Sequence, residues 1–275
     1  TGDDLDTNAD LTATVSLTIQ NFVSVDLAAN VDLTANAGTV DVNNSVSQID
    51  LSGAGTNVIT ATGGSVELDD VVDSANVVEL EINSGTNMTL ATVTLNNLAT
   101  SLLDLNVDSG ADDAATLSAG TLSEGQITAD GQGVNDTLTF TSTVTSTNTT
   151  TAVNQANQVN FQGDVVAATS LTVSNVNTEV DLSAGVDLTA SAGNVAANSG
   201  VTLIDLSGGA GINSVTASGT VNLAAVSDSG TPAELEVNAG TDITLAAITI
   251  DNLLDINLDT GADGSETLNA NGSLS

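Results

Sequence analysis

Hydrophobic and polar residues alternate along this chain in short bursts, each closed by Gly, Asn, Asp or Ser. Between residues 31 and 68 the beat is regular. Val31, Val40, Ile49 and Val58 stand nine apart, and Val66-Glu67-Leu68 follows eight positions after Val58. Each opens a stretch of about four or five residues in which aliphatics take every second place, the period of a strand with one buried face. No useful run shows the 3.6-residue period of a helix, and Val, Thr and Ile, which suit a pleated surface, dominate. Asn36, Gly38, Gly53, Gly55, Gly63 and Gly64 supply corners between strands. The pattern predicts strand, turn, strand, with two or three strands in a rung of about 20–30 residues.

A slower beat runs over this one. An acid flanked by two aliphatics recurs as Val25-Asp26-Leu27, Ile49-Asp50-Leu51, Leu80-Glu81-Ile82 and Leu103-Asp104-Leu105, in steps of 24, 31 and 23 along the chain. It returns as Val180-Asp181-Leu182, Ile204-Asp205-Leu206, Leu235-Glu236-Val237 and Leu254-Asp255-Ile256, in steps of 24, 31 and 19. Because strand side chains point alternately to opposite faces, each triplet buries two aliphatics and turns one carboxylate outward. The spacing therefore predicts one column of outward acids over a column of buried aliphatics.

The two sets belong to a duplication. At an offset of 155, Val31-Asp-Leu-Thr-Ala-Asn-Ala-Gly38 returns as Val186-Asp-Leu-Thr-Ala-Ser-Ala-Gly193, and Met88-Thr-Leu-Ala-Thr-Val-Thr-Leu95 as Ile243-Thr-Leu-Ala-Ala-Ile-Thr-Ile250. Residues 1-158 read as a first copy that includes a divergent, Thr-rich junction at 118-165, and residues 159-275 as a second, truncated copy. Leu138-Thr-Phe140 and Val159-Asn-Phe161 still read as rung strands, so no flexible linker is expected there. The fold class expected is all-β, a right-handed parallel β-solenoid of about eleven rungs in two copies of one unit. Tandem β-sandwich domains are the alternative.

Composition narrows the function. The 275 residues include 35 Asp and Glu but no Lys, Arg or His, for a formal charge of −35, and there is no Cys, Trp or Tyr. The hydrophobic share, 40%, is enough for a dry core and argues against disorder. No side-chain salt bridge can form, so the carboxylates are relieved by solvent ions or by a divalent cation, and Ca²⁺ suits an all-oxygen site. Without His, Cys or Lys the usual bases and nucleophiles are missing, and no enzyme is expected. Paired carboxylates hydrolyse glycosides in some solenoid enzymes, but those bring basic residues to grip an acidic sugar. Nucleic acid is excluded as a partner by the lack of cations and stacking aromatics. No apolar run is long enough to span a membrane, and no small-molecule substrate is expected. Thr1 opens no basic leader, which reads as a processed product or a segment of a longer polypeptide at an extracellular or cell-surface location.

Two sets of residues carry candidate chemistry. Asp4, Asp6, Asn8 and Asp10 alternate like the first half of a D-x-D-x-N calcium loop, without its turn Gly or its bidentate Glu, and equally read as an acidic terminus. Gly208-Gly-Ala-Gly-Ile-Asn-Ser-Val215 fits the G-G-x-G-x-D-x-U nonapeptide with Asn213 in place of the Asp. Gly131-Gln-Gly-Val-Asn-Asp-Thr-Leu138 is a looser fit, and Gly110-Ala-Asp-Asp-Ala-Ala-Thr-Leu117 and Gly261-Ala-Asp-Gly-Ser-Glu-Thr-Leu268 are degenerate relatives. With these motifs and its scarcity of basic residues, the chain resembles RTX-type bacterial surface-layer proteins and secreted repeat adhesins. The resemblance implies a calcium-dependent β-roll or β-solenoid, export without an N-terminal signal, and self-association at the cell surface. It carries calcium onto Asp112, Asp113, Asp136, Asp263 and Glu266. In that family consecutive nonapeptides share each ion between turns, whereas here they are isolated, so Gly-Asp turns with solvated carboxylates remain the other reading.

The function expected is an extracellular structural protein, part of a surface layer or filament assembled through solenoid ends or faces. A stalk or passenger segment of a large adhesin is the alternative. A third reading is ice binding, for which Thr137-x-Thr139-x-Thr141 and Thr143-x-Thr145-x-Thr147 qualify locally.

Overall fold

Every regular element in the computed structural model is a strand; the structure describes residues 3–43, 45–74, 79–95, 101–108, 114–229, 233–258 and 266–275. The strands pair in parallel and come three to a turn, one for each face of a β-solenoid of about eleven turns. Twelve strands, from Leu5–Thr7 and Ser24–Leu27 to Glu234–Ala239 and Leu253–Leu258, stack as the first face. Partners there lie one turn apart in sequence, and the turns differ in length: Val237 sits beside Ile256 across a short one, and Val93 beside Leu122 across a longer one. The second and third faces form a single hydrogen-bonded sheet of 21 strands. They merge because two long strands, Thr151–Phe161 and Leu171–Leu182, run through the corner and serve both faces.

The alternation read from the sequence is the alternation of burial. Most strands follow a buried, half-buried, buried pattern, as in Leu33–Ala35, Val40–Val42 and Val66–Leu68. Stacking aligns the inward residues into apolar columns, for example Val25, Ile49, Val71 and Val93 on the first face and Leu33, Ile59, Ile82 and Leu105 on the second, all fully buried. Between the first and last turns, inward apolar side chains are covered by their counterparts above and below, so the core is one continuous cluster. The Thr-rich junction is part of the same stack. Thr137–Phe140 and Val144–Ser146 are ordinary rung strands, and Phe140 stacks on Phe161 of the next turn with ring centroids 5.2 Å apart and planes 17° apart.

Two expectations are corrected by the register. The acid triplets do not form one column. Asp26 and Asp50 are neighbours on the first face, but the strand stacked next on Gln48–Leu51 is Val71–Asp73. Glu81 and Asp104 stack together on the second face. The steps from Asp26 to Asp50 and from Glu81 to Asp104 are one turn each, whereas the longer step between them spans four strands, one and a third turns, and so carries the triplet to the next face. The duplication is shifted in the same way. Val25-Asp26-Leu27 lies on the first face, but its copy Val180-Asp181-Leu182 pairs with Ile204–Leu206 on the third. Leu80-Glu81-Ile82 lies on the second face and its copy Leu235-Glu236-Val237 on the first. The second copy is thus turned by one face about the axis relative to the first.

Candidate functional site

Asp and Asn at the corners have a structural use that explains their abundance. Asp10 Oδ1 accepts the backbone N–H of Asp32 at 3.1 Å, and Asp32 Oδ1 accepts that of Val58 at 3.0 Å. Asp70 does the same for Thr92, Asp164 for Asp187, Asp187 for Ser214 and Asp242 for Thr267. In each case the acid ties a backbone amide of the next turn. With no cation in the chain, backbone N–H groups are the strongest donors a carboxylate can reach, and such charge-assisted bonds are short and strong.

Asn213, which stands where the nonapeptide has its Asp, points inward. It is buried, and its Nδ2 donates to the carbonyls of Ser183 at 2.8 Å and Val186 at 3.1 Å. Asn57 is fully buried and makes the same pair of bonds, both 2.9 Å, to Ala28 and Val31 in the first copy. The amide is needed because it donates; a carboxylate cannot. Asn213 is therefore an internal clamp on the corner of the preceding turn.

The candidate calcium ligands are dispersed. Asp4 and Asp10 are exposed, Asp10 being one of the corner ties, and Asp6 faces outward on Leu5–Thr7 beside Asp26. Asp136 is fully buried, and its Oδ1 accepts the N–H of Ala115 at 2.9 Å. Glu266 is half-buried. Asp112, Asp113 and Asp263 lie outside the described residues. Among the described residues no three acidic side chains gather as a metal-ligand set, so they do not by themselves assemble the shared sites that the family resemblance implies.

Carboxylates do stack in pairs and triples between turns: Asp6, Asp26 and Asp50 on the first face, Asp41 with Glu67 and Asp181 with Asp205 on the third. Burial, together with Asp50 and Asp6, raises the pKa of Asp26 against the opposing bond from Ser24. Burial and the Asp205 and Asp181 charges raise that of Glu179. Glu124 is the extreme case. It points inward at the end of Leu122–Glu124, fully buried. Its Oε1 accepts bonds from Ser101 Oγ and from Gly125 N–H, whereas Oε2 has no partner. Burial, with Asp73 adding to the rise, pushes its carboxyl up to about 7.

A groove of about 520 Å³ lies on the second face, lined by Asp104, Asn106, Thr128, Asp130, Asn154 and Ser174, with Ala129 and Ala152 also on its wall. Its polar side chains form two ladders. Asp104, Thr128 and Ala152 succeed one another along one edge, and Asn106, Asp130, Asn154 and Ser174 along the other. Thr128 Oγ1 donates to Asp104 at 2.5 Å, and Asn154 Nδ2 to Asp130 at 3.2 Å. The outer wall is unusual: Gln132, Gln155 and Asn175, on three successive turns, all have left-handed φ of 60°, 51° and 54°. Each reaches back into the ladder, Gln132 to Asn106 at 3.0 Å, Gln155 to Asp130 at 3.2 Å and Asn175 to Asn154 at 2.7 Å. Sequence reading missed this groove, although the signal exists: Asn83, Asn106, Asp130 and Asn154 recur at steps of 23, 24 and 24 along the chain.

Fold and surface together define the class, an acidic three-faced β-solenoid with polar ladders. Comparison of the chain with protein-family models, with curated proteins and with solved structures gives no match.

Proposed function

We propose that this chain is a non-catalytic structural segment at the cell surface, associating with copies of itself through the open edges of its stack to build a filament or surface layer. The observation that carries this reading is the parallel stack itself, in which each turn offers the next the same strand direction and the same columns of aliphatics. Among the described residues, strands Leu5–Thr7, Leu11–Ala13 and Leu17–Thr18 each pair on one side, as do Leu253–Leu258 and Leu268–Ala270. Leu254, Ile256 and Leu258 are only partly covered, whereas their partners one turn earlier, Leu235, Val237 and Ala239, are buried. Leu253, Leu268 and Leu274 are exposed. Because all strands run parallel, one edge has the direction needed to continue the other, a head-to-tail contact that propagates as a filament. The acidic surface keeps copies apart sideways and leaves the edges as the favourable contact. Calcium belongs to the same proposal, as a water-completed bridge between stacked carboxylates such as Asp26 and Asp50.

Sedimentation and electron microscopy of the purified chain, with calcium and with chelator, test this. Rods of one solenoid's width that are abolished by Ile256→Lys with Asn269→Pro support edge stacking. A wild-type chain that stays monomeric at high concentration in both conditions, or rods indifferent to those substitutions, would overturn it. Rods unchanged by chelator would remove calcium alone.

A further inference from the structure

We infer that the groove on the second face is a binding site for a neutral, hydroxyl-rich chain, an oligosaccharide lying along the solenoid axis. Such a site works in a single copy and does not depend on self-assembly.

Three features of the groove converge on this ligand. Its shape is linear, since the two ladders run from turn to turn at the strand spacing of about 4.8 Å and enclose a trough of about 520 Å³. Its wall is built at a cost. Non-glycine residues in the left-handed region are strained by roughly 1–2 kcal/mol each, and such residues gather where a site has to be held in shape. Gln132, Gln155 and Asn175 take that conformation on consecutive turns, and the following turn has Gly200 at φ 70°, which shows that the corner itself accepts glycine. What the three side chains gain is an amide held over the ladder, bonded to Asn106, Asp130 and Asn154.

The third feature is chemical. The groove offers donors and acceptors in alternation, with Asn, Thr and Ser beside Asp. Asp104 receives one bond, from Thr128 to Oδ1, which leaves its second oxygen open to a donor from outside. A sugar hydroxyl both donates and accepts and can use such a lining fully, whereas an ammonium group only donates. The chain has no cation to hold a phosphate, a sulfate or a uronic acid, and the lining has no aromatic ring for a base to stack on. Ala152, outward on its strand, leaves room at the wall where a larger side chain would fill the trough.

The test is titration of the isotope-labelled chain with cellohexaose, xylohexaose and mannohexaose, with an oligolysine of similar length as the charge control. Saturable binding of at least one hexasaccharide is expected, with shifts concentrated on the side-chain amides of Asn106, Asn154, Gln132 and Gln155. Ala152→Leu, whose side chain faces outward, should weaken it by about tenfold or more while melting like the wild type. Thr34→Leu, on the same face but remote from the groove, should bind as the wild type does. No saturable binding to any of the three sugars would overturn the inference. So would shifts lying elsewhere, or oligolysine producing the same shifts more strongly than the sugars.

Discussion

The clamp residues Asn57 and Asn213 show how narrowly the chemistry of a single buried position is set in this fold. Each satisfies two corner carbonyls from a buried side chain, and the role is the same in both copies although the copies occupy different faces. Replacing the amide by a carboxylate removes both donors and places a charge against two carbonyl oxygens. Asn57→Asp or Asn213→Asp is therefore expected to cost about 3 kcal/mol or more, read as a lower midpoint in urea unfolding, although the substitution at Asn213 restores the nonapeptide motif. Glu124 is the opposite case, an acid kept where no cation can pair with it. Its folded pKa, about 7, lies above the ordinary 4.5, so the folded state holds the proton over that interval and the unfolded state does not. Stability is thus fully present below about pH 4.5 and is lost as pH rises through about 7. Asp26 and Glu179, both raised, act in the same sense. Melting temperature should fall between pH 5 and 8 in the wild type, and Glu124→Gln should flatten most of that slope. An unchanged slope in the variant would show that the acid ladders, not Glu124, carry it.

At the scale of the strand, burial period and turn length decide what sequence reading can reach. The strands, their parallel stacking and the rung length were legible because each rests on a local signal: aliphatics at every second position and glycines at corners. The single acid column was not, because a residue count says how far the chain has travelled but not how many corners it has turned. The step from Asp50 to Glu81 contains one strand more than the step from Asp26 to Asp50, and only the register reveals it. The groove stayed hidden for a related reason. Its ladder draws Asn83, Asn106, Asp130 and Asn154 from four turns, and each alone looks like an ordinary polar position. The aromatic pair was visible as rung strands but not as a contact. Phe140 and Phe161 fill neighbouring turns of the third face at the junction between the copies, and both are fully buried. Phe161→Ala should cost about 3–5 kcal/mol. Because rungs unfold with their neighbours, hydrogen exchange should accelerate most in the turns beside Phe161 and least at the far ends. Uniform acceleration would instead mark the whole solenoid as a single cooperative unit.

For the molecule as a whole the governing quantity is the formal charge of −35 with no internal counter-charge. Columns of aliphatics hold the turns together, and the same stacking places acids at the strand spacing of about 4.8 Å, where two charges repel by roughly 0.9 kcal/mol even in water. Ties to backbone amides, as at Asp10, Asp32 and Asp187, offset part of this by giving each such carboxylate a donor on the next turn. The remainder is left to the solvent. Raising monovalent salt from about 10 to about 150 mM shortens the screening length from about 30 to about 8 Å, so the melting temperature should climb steeply over that range. Calcium acts differently if it bridges neighbouring turns: at matched ionic strength it should raise the midpoint further than sodium does, and chelator should reverse the increment. Equal midpoints at equal ionic strength would mean that diffuse screening alone answers the charge. In that case the carboxylate stacks are a surface that solvent ions render neutral, and the proposed self-association would rest on apolar contact between stacked turns alone.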